Sequence, residues 1–212
     1  MLGRNAYRKY GKRALDVILA LLLLAVLWPL IAVAAVAVRA KLGAPVVFSQ
    51  VRTGKYEKPF VMKKFRSMND LRGDDGHLLP DSERITRLGK FLRETSIDEL
   101  LELFNILKGE MSFVGPRPLP AEYLPYYTDR ERKRHQVSPG LTGEAQIHGR
   151  NGIDWDRQFE LDLKYVDTVS FAVDCRIILA TVIKVLRREG TQPRAAGARL
   201  DELRSAGGSC GG

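Results

Sequence analysis

The sequence predicts a helix-rich α/β protein. An N-terminal re-entrant membrane helix-break-helix is expected to precede a small cytosolic domain with interfacial amphipathic helices. Three observations carry that expectation. An apolar run from Ala14 to Val38 holds a single charge, Asp16, and is interrupted by Trp28-Pro29. Two short β-rich runs follow it, and later segments place apolar residues at helical spacing. The expected division is 1–41 for the membrane hairpin and its flank, 42–189 for the folded domain and 190–212 for a flexible tail.

The apolar run is long enough for a membrane, since roughly 20 apolar residues suffice to span a bilayer. It is too long for the core of a cleaved signal peptide, usually about 7–15 residues. Basic residues stand at both ends: Arg4, Arg8, Lys9, Lys12 and Arg13 before it, Arg39, Lys41, Arg52, Lys55 and Lys58 after it. Cytoplasmic flanks attract Lys and Arg, so neither end yields to the other. Pro29 removes a backbone donor and crowds the preceding turn, which bends or breaks a helix. A kinked helix that dips into one leaflet and returns satisfies both facts, and a kinked full span stays open because membrane helices tolerate proline.

Beyond Lys41 the chain reads as a soluble domain. APVVFSQVR (44–52) and KPFVMKKFRSM (58–68) are short β-rich runs joined by TGKYE, which reads as a hairpin or two nearby strands. Residues 69–82 are polar and punctuated by Gly and Pro, hence a loop. SERITRLGKFLRET (82–95) puts Ile85, Leu88 and Leu92 on one helical stripe beside Arg84, Arg87, Lys90 and Arg93. DCRIILATVIKVLRRE (174–189) repeats this pattern with Lys184, Arg187 and Arg188. Either is an ordinary surface helix when read alone; beside a membrane hairpin, both suit a lipid surface. The Gly- and Ala-rich end reads as frayed.

The 212 residues carry a net charge of +9, which calls for an anionic partner: nucleic acid, acidic lipid or a phosphorylated substrate. Basic runs without interleaved aromatics, beside an apolar hairpin, weigh against nucleic acid. Cys175 and Cys210 have neither metal-like nor disulfide-like spacing, and the three histidines are scattered.

TSIDELLELFNILKGEMSFVGPRP (95–118) is the informative stretch. Ile97, Leu100, Leu101, Phe104 and Leu107 follow helical spacing, with Lys108-Gly109 as the stop. Asp98 and Glu99 are adjacent carboxylates at its start. Ser96-x-x-Glu99 matches a capping box, with Asp98 complementing the helix dipole, and in isolation that reading leads. In the chemical reading, a carboxylate at a helix N-terminus stays ionised and can act as a nucleophile or a metal ligand. Lys64, Arg66, Arg93 and Arg117 surround the pair in sequence and suit phosphate contacts.

Several motifs in order resemble one family. They are KRALD (12–16), the run broken by Trp28-Pro29, FSQVRTG (48–54), KKFRSM (63–68), RLGKFLRETSIDEL (87–100), KGEMSFVGPRP (108–118), SPGLTGEAQIHGRN (138–151) and FELDLKYV (159–166). The chain resembles the small monotopic polyprenyl-phosphate phosphoglycosyl transferases over roughly residues 10–188. The resemblance implies transfer of a sugar-1-phosphate from a UDP-sugar to undecaprenyl phosphate at the cytoplasmic face of the bacterial inner membrane, with release of UMP. It implies Asp98 as the nucleophile of a covalent phosphosugar intermediate, Glu99 as a ligand of Mg²⁺, and Lys64, Arg93 and Arg117 at the active site. We expect the three cations, with Arg66, to bind phosphate. It also implies a hairpin turning at Pro29 among membrane lipids; a homodimer is left open.

Within the family, IDELLELFNILKGEMSFVGPRPLPAEYLPYY looks most like enzymes that transfer phospho-diacetylbacillosamine (phospho-diNAcBac) in protein glycosylation. Ser138, Glu144 and His148 depart from the usual pattern in a substrate-side loop, which bears on the sugar rather than on Asp98-Glu99. The rivals are the same chemistry with another UDP-HexNAc, and a non-catalytic membrane-tethered binding protein in which Asp98 and Glu99 only cap a helix.

Overall fold

The computed structural model describes residues 6–149, 153–187 and 199–207. A π-helical turn, Tyr7–Gly11, leads into helix α1, Lys12–Leu42. At 31 residues α1 is about 46 Å long, more than a bilayer core requires. The expected break at Trp28-Pro29 is absent, and the helix runs through Pro29. Proline removes one hydrogen bond, while the remaining turns keep theirs, so an apolar helix absorbs it.

One stripe of α1 faces the rest of the protein along its whole length. Asp16, Ala20, Ala34 and Val38 are buried, with Leu24, Leu27 and Ile31 half-buried between them. Ile18, Leu22, Val26, Trp28, Val33 and Val36 face outward, Trp28 at 64% exposure. Near its start, Asp16 Oδ1 accepts from Ser112 Oγ and the Phe113 amide, both at 3.0 Å. Arg13 caps the carbonyls of Ile106 and Leu107. Near the other end, Ala34 and Val38 share an apolar cluster with Phe65, Leu92 and Leu101.

Strands β1 (Val47–Thr53) and β2 (Pro59–Phe65) form the expected hairpin, antiparallel, with Phe48 opposite Lys64 and Val51 opposite Val61. Phe60 and Met62 enter the core, and Lys64 follows on their face. The helix expected over 82–95 is split. A single turn, Asp81–Arg84, is separated from α2, Arg87–Glu94, by extended Ile85, and the Thr86 hydroxyl caps α2 by accepting from Gly89 N. Ile85 instead bridges to Met68.

A 3₁₀ turn, Ile97–Leu101, precedes α3, Glu102–Lys108. Strands β3 (Ser112–Val114) and β4 (Gly140–Thr142) make a short parallel pair. Helices α4 (Trp155–Thr168) and α5 (Phe171–Leu186) follow. Among the described residues the sheet content is therefore two separate pairs within a helical body. Helix α5 leaves Phe171, Leu179, Val182, Ile183 and Leu186 exposed; Arg188, expected on its basic flank, lies outside the described residues.

Part of the stretch expected as a flexible tail is ordered. Helix α6, Leu200–Gly207, buries Leu200 among Leu119, Tyr123, Tyr127, Trp155 and Phe159. Arg204 pairs with both oxygens of Glu131, at 2.6 and 2.7 Å. Tertiary docking orders a segment whose Gly- and Ala-rich composition points to fraying.

Asp16 ties the start of α1 to β3 through its hydrogen bonds to Ser112 and Phe113. Asp16→Ala orphans the buried Phe113 amide and should cost about 1–3 kcal/mol of stability. Asp16→Asn keeps an acceptor and should cost less. Thermal unfolding of the two variants in the same detergent compares them.

Candidate active site

Four stretches meet at one point. Strand β2 delivers Lys64, α2 delivers Arg93, the 3₁₀ turn and α3 deliver Asp98, Glu99 and Glu102, and the loop after β3 delivers Arg117. Asn105 fixes the register between β2 and α3, donating to Val61 O at 2.7 Å and accepting from Lys63 N at 3.3 Å. A Cβ on Gly89 would lie 1.7 Å from Ser67 O, so only glycine lets α2 sit this close. Arg93 Nε then reaches Ser67 Oγ at 2.9 Å.

The turn that carries the acids is not a capped helix start. Ser96 adopts the left-handed region (φ 56°) and its side chain makes no cap. The expected capping box is thus absent, and the Glu99 carboxylate faces cations instead. A serine in this region costs on the order of 1–3 kcal/mol. It lets the chain reverse after α2 and turn Asp98 inward, to 7% exposure.

Lys64 Nζ lies 2.6 Å from Glu99 Oε1 and 3.1 Å from Glu102 Oε1. Arg117 Nη1 stands 3.8 Å from the same Glu99 oxygen. Glu102 is 3% exposed. Burial raises the Asp98 carboxyl to about 6, helped by Glu99 and opposed by Lys64, Arg93 and Arg117. Burial likewise pushes Glu102 up to about 7 against the pull of Lys64. Burial disfavours the Lys64 ammonium, but Glu99 and Glu102 outweigh it and hold its pKa above the usual value.

Arg117 is aimed by its backbone. Its carbonyl accepts from Arg134 Nη2 at 2.7 Å, and buried Arg134 pairs with Asp162 at 2.7 Å. Gly115, at the start of this loop, packs so close to β4 that a Cβ would meet Ser138 O at 2.3 Å.

Of the sequence-predicted residues, Lys64, Arg93, Asp98, Glu99 and Arg117 converge. Arg66 is placed differently: it donates to Ala44 O at 3.0 Å and stands 3.7 Å from Asp70, bracing the exit from α1. The ladder continues past Phe65, with Arg66 N donating to Val46 O at 2.9 Å, but the guanidinium is drawn to Ala44 O beyond α1. Trp28 and Pro29 lie on α1 and point away from this body.

Two charged groups were missed. Glu102, within LLELF, reads as the polar position of an amphipathic helix; its burial follows from packing against β2. Arg52 donates to Gln50 Oε1 at 2.6 Å, and burial, with Arg117 nearby, lowers it to about 10.

The site is thus a buried, ionisable carboxylate facing several cations, beside an outward-facing apolar helix. It suits nucleophilic or base chemistry on an anionic, phosphate-bearing substrate. Among the described residues no cluster of three or more His, Cys, Asp or Glu is arranged to hold a metal by itself. Mg²⁺ is commonly held by one or two carboxylates plus substrate phosphates, and Glu99 at the rim fits that mode.

Comparison with known proteins agrees with this chemistry. The model of the bacterial sugar transferase family matches residues 7–188. The chain is 51% identical over 181 residues to the Bacillus subtilis protein named uncharacterized sugar transferase EpsL, covering 85% of this chain and 90% of that one. It is 40% identical over 190 residues to a UDP-glucose:undecaprenyl-phosphate glucose-1-phosphate transferase of Klebsiella pneumoniae, covering 85% of this chain and 41% of the relative. It is 35% identical over 199 residues to an undecaprenyl-phosphate galactose phosphotransferase of Salmonella typhimurium, with coverage of 86% and 42%. The chain therefore spans less than half the length of these last two.

The raised carboxyl of Asp98 has a consequence for stability. Its folded-state value, about 6, lies above the ordinary 3.8, so the native state holds the proton more tightly than the unfolded chain. Stability from this group is present below pH 4 and lost as pH rises through 6. Asp98→Asn removes that loss and should stabilise the protein at pH 8 by on the order of 3 kcal/mol, with little change at pH 4. Thermal unfolding of both proteins across pH 4–8 measures it.

Proposed function

Because the chain belongs to the bacterial sugar transferase family, we propose that it transfers a sugar-1-phosphate from a UDP-sugar to undecaprenyl phosphate and releases UMP. The observation that carries this reading is the convergence of Lys64, Arg93 and Arg117 on Asp98 and Glu99, beside a helix with an exposed apolar face. Asp98 is the nucleophile. Its ionised oxygen attacks the sugar-bearing phosphorus, the bond from that phosphorus to the bridging oxygen breaks, and UMP leaves with the electron pair. A phosphate oxygen of undecaprenyl phosphate then attacks the same phosphorus and expels the Asp98 carboxylate.

With its carboxyl near 6, Asp98 is mostly ionised at neutral pH while burial leaves it poorly solvated, a combination that favours attack. Lys64, Arg93 and Arg117 neutralise the diphosphate and the charge that grows on UMP. Glu99 would hold Mg²⁺, which offsets the pyrophosphate charge when bound. The binding-protein alternative required Asp98 and Glu99 to be helix caps, and the uncapped, left-handed Ser96 speaks against it.

We place the site at the cytoplasmic face of the membrane, with α1 entering one leaflet from that side. Two facts support this. Asp16 and Val38, near opposite ends of α1, both pack on the same globular body. Both flanks are basic. For the sugar, the 97–127 segment supports phospho-diNAcBac, while the names of the relatives favour glucose and galactose as a second reading.

Two experiments test these proposals. UMP release in the presence of undecaprenyl phosphate and Mg²⁺ should occur with one of UDP-diNAcBac, UDP-glucose or UDP-galactose. It should fall at least about a hundredfold in Asp98→Asn, as expected on losing a nucleophile. Labelled UMP should exchange into the UDP-sugar without lipid acceptor, whereas no exchange from an active enzyme would mean direct transfer. For topology, Tyr10→Cys and Lys41→Cys, in a background with Cys175 and Cys210 replaced by serine, should both react with an impermeant thiol reagent from the cytoplasmic side only. Reaction of one from each side would show a span.

A further inference from the structure

Glu102 has no part in the chemistry above, although it lies inside the site. Its carboxylate is 3% exposed, at the first position of α3, and Lys64 Nζ stands 3.1 Å from Oε1. The same ammonium lies 2.6 Å from Glu99 Oε1. One lysine is therefore shared by two carboxylates of different exposure. Glu99 is at the rim, where its side chain keeps 18% exposure. Glu102 is enclosed, and its helix is clamped to the strand carrying Lys64 through Asn105.

We propose that Glu102 is a positioning residue: it anchors the Lys64 ammonium inside the site when Glu99 is drawn away by an incoming cation. This rests on the functional reading above, in which Glu99 meets the metal and Lys64 the phosphates. A lysine is a point charge on a flexible four-carbon stem, and a group that engages Glu99 removes its shortest contact. With Glu99 as sole partner, the ammonium would gain solvent and rotamer freedom at the moment it is needed. Glu102 Oε1 attracts the ammonium as an ion pair at 3.1 Å without taking a directed hydrogen bond, so once Glu99 is engaged the ammonium donors can turn to phosphate oxygens. Arg52 and Arg117 face the same carboxylate and keep the buried charges balanced.

A double-mutant cycle on the full-length, membrane-reconstituted protein tests this, read by binding of UDP with Mg²⁺ and with EDTA. Binding is used because it survives loss of turnover. Glu102→Leu should weaken UDP binding by roughly tenfold, mid-range for residues in direct contact, and by less than about twofold in a Lys64→Met background. Glu102→Gln keeps an acceptor at the same reach and should stay within about threefold of the parent protein. Unchanged binding in Glu102→Leu overturns the proposal. So does an equal loss with and without Lys64, which would make Glu102 a purely structural residue. If Glu102→Leu fails to fold, the near-isosteric Glu102→Met takes its place in the cycle, and unchanged binding or a loss that persists without Lys64 overturns the proposal equally. Absence of UDP binding by the parent protein overturns the functional reading itself, and this inference with it.

Discussion

Everything near the site depends on keeping three carboxylates, Asp98, Glu99 and Glu102, in a poorly solvated place without unfolding the protein. Like charges in such a place repel and resist ionisation, which is why burial raises Asp98 and Glu102 together. Lys64 is the principal counterweight, at 2.6 and 3.1 Å from two of them. Its position on the inward face of β2 is therefore as important to the site as the acidic turn. The Asn105 clamp, the glycine contact at α2 and the Arg134–Asp162 pair behind Arg117 serve the same end, bringing cations to fixed points around the acids.

The cations come from three separate elements and the acids from one short turn. That division fits chemistry on a diphosphate, where many donors must surround one phosphorus while one oxygen attacks it. It also explains the tolerance of a left-handed serine at position 96. The local cost is met by packing elsewhere, and the return is an inward carboxylate at the end of a sharp reversal.

Much of this arrangement could be read from the residues. The hairpin, the polar loop after it and the helical stripes follow from alternation and spacing. The acidic pair was recognisable because it sits among cations in long ordered motifs. The failures are tertiary. A capping box at Ser96-x-x-Glu99 has the correct spacing, but spacing does not reveal a left-handed backbone. Ile85 fits a helical stripe yet is extended, since it bridges to Met68. Pro29 predicts a break that a long apolar helix absorbs. Glu102 looks solvent-exposed until β2 is laid over it, and Leu200 looks frayed until an aromatic cluster receives it.

The cluster holding Ala34 and Val38 also contains Phe65, Leu92 and Leu101, each adjacent in sequence or within three residues of Lys64, Arg93 or Asp98. One wall of the site's scaffold is therefore a helix whose other wall is apolar and exposed. In the setting proposed above, acyl chains become part of the architecture: their thickness and lateral pressure would set the tilt of α1, and that tilt bears on the residues flanking Asp98. On that proposal the bilayer is both the reservoir of one substrate and an outer buttress of the site.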